Sequence, residues 1–328
     1  MTIRERTYSF EELTLCKSAT FSKDTKGRDI FEELCPLRTE FQRDRDRIIH
    51  SKAFRRLKHK TQVFLIPEGD HYRTRLTHTL EVAQIARSMA RCLRLNEDLT
   101  EAIALGHDLG HTPFGHAGER TLNEVFGNFK HTSHSLRVAE TEGLNLTQEV
   151  KDGMLNHKSS GTPSTLEGRI VQLSDKFAYV NHDISDAIRG GIISFEDIPH
   201  HCVDILGKTH SARINTLISD VVSNGIVAEK ITLSPEIESA FMDLRSFLFR
   251  TVYTDNVAKD EEIKAHKIIS TLYFHFIAHP SDLPQTERAR CENEAVDRVV
   301  CDYIAGMSDF YAINEFKRLY IPEAWSII

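Results

Sequence analysis

The segment 105–119 concentrates side chains that can bind a metal ion and move protons. Three histidines, an aspartate and a glutamate lie within it: His107, Asp108, His111, His116 and Glu119. Neutral imidazoles beside a hard carboxylate suit a divalent ion used for hydrolysis better than they suit a structural zinc site built from thiolates. A single His-Asp dipeptide often arises by chance and is solvated. The prediction of a metal centre therefore depends on the density of the whole cluster.

Two residues outside this segment could complete a metal site. His78 lies on or beside the apolar stripe of a predicted helix, where a lone histidine is more often part of a core than a ligand. Asp175 lies in a largely apolar helical pattern over residues 163–189, where a carboxylate is costly unless it is paired or binds a metal. With His107 and Asp108 they would form a site of two imidazoles and two carboxylates, which suits Mn²⁺, Fe²⁺, Mg²⁺ or Zn²⁺. Such an ion would lower the pKa of bound water and neutralise charge on a phosphoryl oxygen.

The elements that position these residues follow from apolar spacing and from glycine and proline. One helix is predicted to begin near Thr74 or Thr77 and to carry His78. The apolar run 99–105 predicts a second helix, with the His-Asp pair on its last turn. The glycines and the proline that follow predict an irregular segment carrying the next two histidines. A further helix is predicted over residues 118–126.

The segment 41–64 is strongly basic. It contains only two acidic residues, Asp44 and Asp46, against eight basic ones: Arg43, Arg45, Arg47, Lys52, Arg55, Arg56, Lys58 and Lys60. Apolar residues at helical spacing predict one or two amphipathic helices in this segment. The usual meaning of such a charge run is a solvated face, and the alternative is a wall that binds phosphates.

The composition is that of a globular protein with free thiols. The chain has 328 residues, 40% of them hydrophobic and 27% charged, and a net charge of −7, which excludes a generally basic nucleic-acid-binding surface. Six cysteines are scattered without a CxxC pair, which indicates a reducing compartment. No apolar run reaches the roughly 20 residues needed to span a bilayer, and the N-terminus lacks the apolar stretch of a signal peptide. We therefore expect a cytoplasmic protein with no membrane partner.

The predicted fold class is all-α, because no segment of useful length alternates with the period of a strand. Residues 1–40 are predicted to form an N-terminal arm with a short helix over 9–15, residues 41–190 a core that carries the candidate site, and residues 191–328 a helical region packed on that core. The chain contains no GxGxxG, GxxxxGK[ST] or GxSxG motif. A Rossmann site, a P-loop and a nucleophile elbow are therefore not expected.

Taken together, these motifs resemble a known family. His78, the pair His107-Asp108 and Asp175 match the H…HD…D pattern of HD-domain metal-dependent phosphohydrolases. Four stretches are similar to the deoxyguanosine-triphosphate triphosphohydrolase-like proteins: residues 38–57, 74–78, 107–119 and 173–186. The similarity is strong over roughly residues 18–190 and looser in the C-terminal third. The resemblance implies an HD-domain helical bundle with additional C-terminal helices.

The resemblance also implies a reaction and a set of site residues. A dNTP, dGTP or another, would be hydrolysed to the deoxynucleoside and inorganic triphosphate as water attacks the α-phosphorus and the 5′-oxygen leaves. One divalent ion is implied, Mn²⁺, Mg²⁺ or Fe²⁺, with Zn²⁺ or Ni²⁺ as alternatives in the purified protein. The implied metal ligands are His78, His107, Asp108 and Asp175. The implied catalytic and phosphate-contacting cluster is His111, His116, Glu119 and His131. The implied substrate contacts are Arg75 and Lys176 on phosphates, Gln62, Tyr179 and Asp183 on the sugar, and Tyr253 stacked on the base.

The chain departs from the family pattern after His131. The family usually carries Asn at the next position and Gln two residues further on, whereas this chain has Thr132 and His134 there. Which of the two histidines acts in proton transfer therefore stays open at this point.

Two other functions remain open. One is an HD-domain phosphohydrolase acting on a different nucleotide phosphoester, which would release orthophosphate or pyrophosphate instead of triphosphate. The other is a non-catalytic protein that senses a nucleotide or nucleic acid, for which the basic segment is the only support. The resemblance further implies a homo-oligomer, and it leaves open activation by a second dNTP or by single-stranded DNA.

Overall fold

The structure, a computed structural model, describes residues 1–62, 73–228, 230–252 and 256–322. The described residues form sixteen α-helices and four short 3₁₀ turns, with three isolated β-bridges and no β-strand. The prediction of an all-α fold is confirmed. Among the described residues, no helix combines the length and the apolar composition required to cross a bilayer.

Nine helices precede residue 190 and seven follow it in these described ranges. The first nine are α1 (Ile3–Thr14), α2 (Glu40–His50), α3 (Lys52–Arg56), α4 (Arg75–Leu93), α5 (Glu97–Gly106), α6 (Gly115–Phe126), α7 (His131–Thr141), α8 (Gln148–Leu155) and α9 (Leu166–Arg189). The other seven are α10 (His200–Leu206), α11 (His210–Asn224), α12 (Pro235–Thr251), α13 (Asn256–Ala278), α14 (Gln285–Arg290), α15 (Val296–Ala305) and α16 (Asp309–Tyr320). The 3₁₀ turns are Ser22–Asp24, Leu57–His59, Phe195–Asp197 and Pro280–Asp282.

Helix α5 lies at the centre of the first part of the chain. It packs against α2, α4, α8 and α9, and its residues Leu99, Ala102 and Ile103 are completely buried. Asn96 caps its start, because Asn96 Oδ1 accepts a hydrogen bond from the backbone N–H of Leu99 at 3.1 Å. Since α5 is surrounded by other helices, its sequence is apolar on several sides. The chain that leaves α5 therefore starts deep inside the protein.

The buried apolar side chains form two clusters. The larger cluster draws on elements from α2 to α12 and includes Phe41, Ile103 and Phe177. The smaller cluster joins α6 to α13, α15 and α16 and includes Leu122 and Phe276. The turn between α5 and α6 passes from one cluster to the other. Both parts of the protein can therefore influence the position of this turn.

The first helix is longer than predicted. It begins at Ile3, whereas the sequence pattern indicated a start near Ser9. Thr2 and Glu5 form a capping box there, with the backbone N–H of Glu5 donating to Thr2 Oγ1 at 3.2 Å. This local pair of hydrogen bonds stabilises a first turn whose side chains are mostly exposed.

Two helix boundaries at the candidate site also differ from the prediction. Helix α5 ends at Gly106, so the His-Asp pair lies in the turn after the helix and not on its last turn. Helix α6 begins at Gly115, three residues earlier than predicted, so His116 lies on a helix and not on an irregular segment. Phe114 and Gly115 have φ values of 60° and 57°. Two successive left-handed residues reverse the chain sharply, which allows the new helix to begin early.

Candidate metal centre

Three elements bring the four candidate metal ligands together. Helix α4 contributes His78, the turn after α5 contributes His107 and Asp108, and α9 contributes Asp175. All four residues are buried, with exposures of 1%, 1%, 3% and 9% in that order. Helix α4 packs on both α5 and α9. This packing brings together residues that are almost a hundred positions apart in the sequence.

The distances among these side chains fit a common metal ion. His78 Nε2 lies 3.1 Å from Asp175 Oδ1. His107 Nε2 lies 3.9 Å from the same oxygen and 3.7 Å from Asp108 Oδ2. Donor atoms bound to one ion at about 2.1 Å are about 3.0 Å apart at a right angle and about 3.4 Å apart at the tetrahedral angle. The observed separations equal or slightly exceed these values.

A hydrogen bond fixes the tautomer of His107. Its Nδ1 lies 2.6 Å from the carbonyl oxygen of Ala104, and a carbonyl can only accept, so Nδ1 carries the proton. Its Nε2 therefore presents a lone pair, and this buried atom makes no hydrogen bond with any described residue. A backbone carbonyl that fixes the tautomer of a histidine is common behind metal ligands. A metal ion bound here would give this buried nitrogen a partner.

The two candidate carboxylates are ionised at neutral pH. Burial raises the pKa of Asp175, but its hydrogen bond with His78 and the nearby His107 hold that pKa well below the usual range. Burial also raises the pKa of Asp108, and His107 and Arg75 hold it well below the usual range in the same way. Metal ligands of this type must be deprotonated. Both side chains meet this requirement.

A second group of polar side chains surrounds Glu119. Its Oε1 accepts a hydrogen bond from the backbone N–H of His131 at 2.8 Å and lies 2.7 Å from His131 Nδ1. Its Oε2 lies 3.5 Å from His116 Nδ1. Burial raises the pKa of Glu119, but hydrogen bonds with His116 and His131 hold it well below the usual range. The carboxylate thus orients two histidines at once.

The histidines of this group differ in exposure. His111 and His131 are buried and stack with their ring centroids 4.6 Å apart. Burial lowers the pKa of both, that of His111 well below its usual range. The side chain of His116 is 58% exposed. His116 is therefore the member of this group that a molecule arriving from solvent meets first.

The turn that carries the His-Asp pair is fixed against α7. Gly110 donates its backbone N–H to Ser135 Oγ at 3.0 Å, and the same hydroxyl donates to the carbonyl of His107 at 2.9 Å. A Cβ at Gly110 would lie 2.2 Å from the backbone nitrogen of Ser135. Only glycine allows this approach, and it brings His131 at the start of α7 close to His107.

The structure places Arg75 against a candidate metal ligand. Arg75 Nη1 donates to Asp108 Oδ2 at 2.7 Å, and Arg75 Nη2 donates to the carbonyl of Gln62 at 3.4 Å. Arg75 is almost fully buried. The side-chain Oε1 of Gln62 is also buried and makes no hydrogen bond with any described residue. Two of the six residues predicted to contact substrate, Arg75 and Gln62, therefore lie beside the centre.

Three further predicted substrate contacts lie on α9. Tyr179 and Asp183 follow Asp175 at intervals of four residues, so the three share a helix face. Tyr179 accepts a hydrogen bond through its hydroxyl from Arg245 Nε at 2.6 Å. Lys176 is half-buried, and burial lowers its pKa. The sixth predicted contact, Tyr253, lies outside the described residues.

Sequence analysis missed His157 and Lys158. His157 is buried, with its ring centroid 4.9 Å from that of His107 and its Nε2 3.4 Å from His131 Nε2. The loop that carries it is held by Gln172, whose Nε2 donates to the carbonyl of Lys158 at 2.6 Å. Fifty residues separate His157 from the His-Asp pair, so no spacing signal connected them.

The two histidines at the start of α7 point to different surroundings. His131 belongs to the group around Glu119, as described above. His134 accepts a hydrogen bond at Nδ1 from Arg298 Nη2 at 3.1 Å, and its ring packs against Phe129 at 5.1 Å. Of the pair whose roles the sequence left open, His131 is the one that lies beside the candidate centre.

The basic helix α2 is neutralised by acids from other parts of the chain. Arg43 and Arg47 both form ion pairs with Glu32, and Arg45 pairs with Asp98 at 3.2 Å. The count of basic and acidic residues within the segment did not reveal these partners, because they lie outside it. The arginines of α2 therefore form a paired surface, and the alternative of a phosphate-binding wall finds no support in α2.

Comparisons with known proteins identify the fold and its two matched regions. Residues 75–180 match the family model of the HD domain, and residues 231–318 match that of the phosphohydrolase-associated domain. Two solved structures share the fold: a phosphohydrolase from Bacteroides thetaiotaomicron, with a TM-score of 0.55 at 15% identity, and a hypothetical protein from Aquifex aeolicus, with a TM-score of 0.50 at 21% identity. Each similarity covers 84% of this chain, and 69% and 71% of the other chain respectively.

Several curated relatives are similar over nearly their whole length. A deoxyguanosinetriphosphate triphosphohydrolase-like protein of Caldanaerobacter subterraneus is 54% identical, over 99% of this chain and 98% of the relative. A protein of the same name from Clostridium perfringens is 50% identical, over 98% and 99%. With an HD domain whose buried histidines and aspartates could hold a divalent metal, this chain belongs to the family of deoxyguanosinetriphosphate triphosphohydrolase-like proteins.

Proposed function

We propose that this protein is a metal-dependent triphosphohydrolase that converts a dNTP to the deoxynucleoside and inorganic triphosphate. One observation carries the proposal: buried donor atoms of His78, His107 and Asp108 lie within 4.8 Å of one another, and Asp175 Oδ1 lies within 4 Å of both imidazoles. The names of the curated relatives support the choice of a deoxynucleoside triphosphate as substrate. We propose Mn²⁺, Mg²⁺ or Fe²⁺ as the ion, since this donor set discriminates little among them.

In the proposed reaction, a water oxygen bonds to the α-phosphorus and the bond from that phosphorus to the 5′-oxygen breaks. An ion bound at the centre would supply Lewis acidity, which favours deprotonation of water and stabilises charge on the phosphoryl group. Deprotonated Asp108 and Asp175 and the fixed tautomer of His107 prepare the donor set before the ion arrives. The leaving 5′-oxygen must receive a proton. Exposed His116, oriented by Glu119, is the group that we propose for this step.

The remaining polar residues are proposed to bind the substrate. Arg75, Lys176 and the newly recognised Lys158 are cations beside the centre, and a triphosphate needs several such partners. His111 and His131 are proposed to contact the phosphate that reacts. We propose that Gln62, Tyr179 and Asp183 meet the sugar, where a 2′-hydroxyl would clash or leave polar groups unpaired.

Product analysis tests the proposal directly. The purified chain, freed of metal and then given Mn²⁺ or Mg²⁺, is incubated with each dNTP and with the matching ribonucleotide. We expect deoxynucleoside and inorganic triphosphate in equal amounts, slower turnover of ribonucleotides, and no turnover after chelation. Release of orthophosphate or pyrophosphate in place of triphosphate would contradict the proposal.

A further inference from the structure

Helix α1 is mounted with its polar side against the protein. The Tyr8 hydroxyl donates to Glu40 Oε2 at 2.7 Å. Glu11, which is buried, accepts the backbone N–H of Ser22 at 2.8 Å. The opposite side of the helix carries three apolar side chains with exposures from 55% to 84%: Ile3, Phe10 and Leu13. A surface helix normally turns its apolar stripe towards the core, whereas α1 leaves this stripe in solvent.

The segment 30–37 adds a second exposed apolar surface beside the start of α1. The two are joined because Arg4 donates its backbone N–H to the carbonyl of Pro36 at 3.1 Å. The far end of the segment is fixed as well, since Asn145 Nδ2 donates to the carbonyl of Ile30 at 2.8 Å. Four large side chains of the segment have exposures from 57% to 88%: Ile30, Phe31, Leu34 and Leu37. Because their backbone is anchored, binding through them costs less conformational entropy.

The seven apolar side chains of α1 and of segment 30–37 form a surface that we call the arm face. At roughly 150 Å² for each large side chain, they expose on the order of 700 Å² in total. The largest apolar patch on a typical monomer covers roughly 300–600 Å². Each partner in a standard protein interface contributes about 800 Å². The arm face therefore has about the area of one side of an interface.

The residues that flank the stripe on α1 argue against a lipid surface as the partner. Helices that lie on a membrane carry Lys or Arg on their polar flanks. Helix α1 instead carries small hydroxyl residues there, Thr7 and Thr14 on one flank and Ser9 on the other. The net charge of −7 also disfavours an anionic membrane. Small flanking side chains do, however, allow a second helix to approach closely.

The stripe is complementary to an antiparallel copy of itself. Its residues follow the alternating three- and four-residue intervals of a helix-pairing seam: Ile3, Arg6, Phe10 and Leu13. With a twofold axis at the middle of α1, Ile3 of one copy meets Leu13 of the other. Arg6 of one copy then lies over Phe10 of the other, where the ring face attracts a cation. Arg6 is exposed and forms no ion pair with any described residue, so it is available for this contact.

We propose that the arm face is an interface at which two copies of this chain pair, α1 against α1, in antiparallel orientation. A twofold interface buries the same surface on both copies, so each apolar stripe covers the other. Segment 30–37 extends the contact beside the start of each helix. No residue of the arm face belongs to the candidate metal centre. The proposal is therefore independent of the proposed function.

Analytical ultracentrifugation of the full-length protein tests this proposal. We expect the wild type to sediment as a dimer or as a multiple of a dimer. Phe10→Glu and Leu13→Glu should each weaken the association at least about 30-fold, because a charge replaces an apolar contact in the seam. Phe274→Glu is the matched control, since Phe274 is similarly exposed, at 59%, but lies on α13. The control should leave the mass unchanged.

A charge exchange tests the antiparallel orientation. Ile3→Lys is combined with Leu13→Glu, so that each lysine meets a glutamate of the other copy only if the two helices are antiparallel. The double variant should associate at least about 10-fold more tightly than Leu13→Glu alone, since opposite charges then face each other. In a parallel pair, like charges would meet and the association would stay weak.

Three results would overturn the proposal. They are a wild-type chain that is monomeric at every concentration up to its solubility limit, a mass that neither single variant lowers, and a double variant that associates no better than Leu13→Glu. Binding of monomeric wild type to phosphatidylcholine–phosphatidylglycerol vesicles, lost in Phe10→Glu, would assign the arm face to lipid instead. Circular dichroism identifies a variant that does not fold. Hydrogen exchange of wild-type α1 then decides: protection that rises with protein concentration is expected, and exchange independent of concentration contradicts the interface.

Discussion

At the scale of single residues, the candidate centre depends on charges that are buried yet paired. Asp175 is the only candidate ligand from α9, and its Oδ1 lies within 4 Å of both candidate imidazoles. A carboxylate placed in this way neutralises an ion that the two histidines alone would bind weakly. The same group costs stability when no ion is bound, because it is desolvated. Its substitution should therefore separate metal binding from folding.

Asp175→Asn is expected to abolish tight metal binding while the fold persists. Loss of an outer-shell partner typically weakens metal affinity by about 10–100-fold, so loss of a ligand should cost at least about 100-fold. Metal content by mass spectrometry and Mn²⁺ titration measure the effect. Asp186→Asn is the control, since Asp186 lies on the same helix but pairs with Arg73 at 3.0 Å. Equal loss of metal in both variants would contradict the assignment of Asp175.

Glu119→Gln is expected to reduce turnover and to leave the first metal in place. The amide cannot accept from both His131 and His116 as the carboxylate does, so the histidines lose their orientation. General acid catalysis contributes about 10²–10⁴-fold, so kcat should fall within that range. Steady-state kinetics and metal analysis are measured on the same preparation. Unchanged kcat would show that the pairing of Glu119 with histidine has no role in turnover.

At the scale of elements, the start of α16 holds two segments of the candidate site. Asp309 Oδ2 accepts a hydrogen bond from the backbone N–H of Thr61 at 2.9 Å, and Asp309 Oδ1 accepts one from Phe114 at 2.9 Å. Thr61 precedes Gln62, and Phe114 is the left-handed residue just before α6, which carries His116. Asp309 is buried. One carboxylate from the C-terminal part of the chain thus fixes the backbone on two sides of the site.

Asp309→Ala is expected to lower both stability and activity. Two buried N–H groups lose their acceptor, which should cost about 3 kcal/mol in the free energy of unfolding. The freed turn should also misplace His116, lowering kcat/KM by at least about 10-fold. Urea unfolding measures the change in stability. Product formation is measured separately, at temperatures and urea concentrations below the onset of unfolding.

Glu167→Ala provides a matched control for this experiment. Glu167 is also buried and accepts from two backbone N–H groups, those of Thr20 at 2.9 Å and Asn96 at 3.1 Å. Its removal should cost similar stability with little loss of activity, because it holds segments outside the site. If both variants lost activity equally, the effect of Asp309 would come from stability alone.

At the scale of the whole molecule, Lys60 joins the two apolar clusters. Its Nζ donates to the carbonyl of His111 in the central turn and to the carbonyl of Ala305, 2.8 Å away, at the end of α15. The pKa of Lys60 is lowered to about 7, mainly because the amine is buried and secondarily because the positive charge of Arg56 is nearby. The neutral amine still donates to both carbonyls. A buried cation is thereby avoided at the junction between the clusters.

The lowered pKa of Lys60 predicts a stability that rises with pH. In the unfolded chain Lys60 stays protonated up to about pH 10.4, whereas the folded chain releases this proton near pH 7. The unfolded state therefore binds more protons between these values, and the free energy of unfolding should increase by about 2–3 kcal/mol from pH 7 to pH 9 through this group. Below pH 7 the group is protonated in both states and contributes no further slope.

Urea unfolding of wild type and Lys60→Met at pH 7, 8 and 9 checks this expectation. The variant should lack the rise that Lys60 contributes, while other titrating groups affect both proteins alike. Its stability at pH 9 should also be lower, because two buried carbonyls lose their donor. Parallel pH profiles of the two proteins would contradict the lowered pKa.

The sequence by itself determined the class of fold and the family. Apolar spacing identified α4 and α9 as helices, because the 3.6-residue period is a local property of the chain. The H…HD…D pattern and the stretches around it led to the family, and the curated relatives confirm that family. Local hydrogen bonds and left-handed residues, as at Thr2 and Phe114, decided helix ends that apolar spacing does not encode.

Only the tertiary structure decided which distant residues meet. His157 approaches His131, Asp309 fixes Phe114, and the acids that neutralise α2 come from other elements. These contacts depend on how helices pack, and packing is not visible in the spacing of any one segment. The sequence therefore named His78, His107 and Asp108 as groups able to bind a metal, and only the fold showed that they lie close together and that His157 lies beside them.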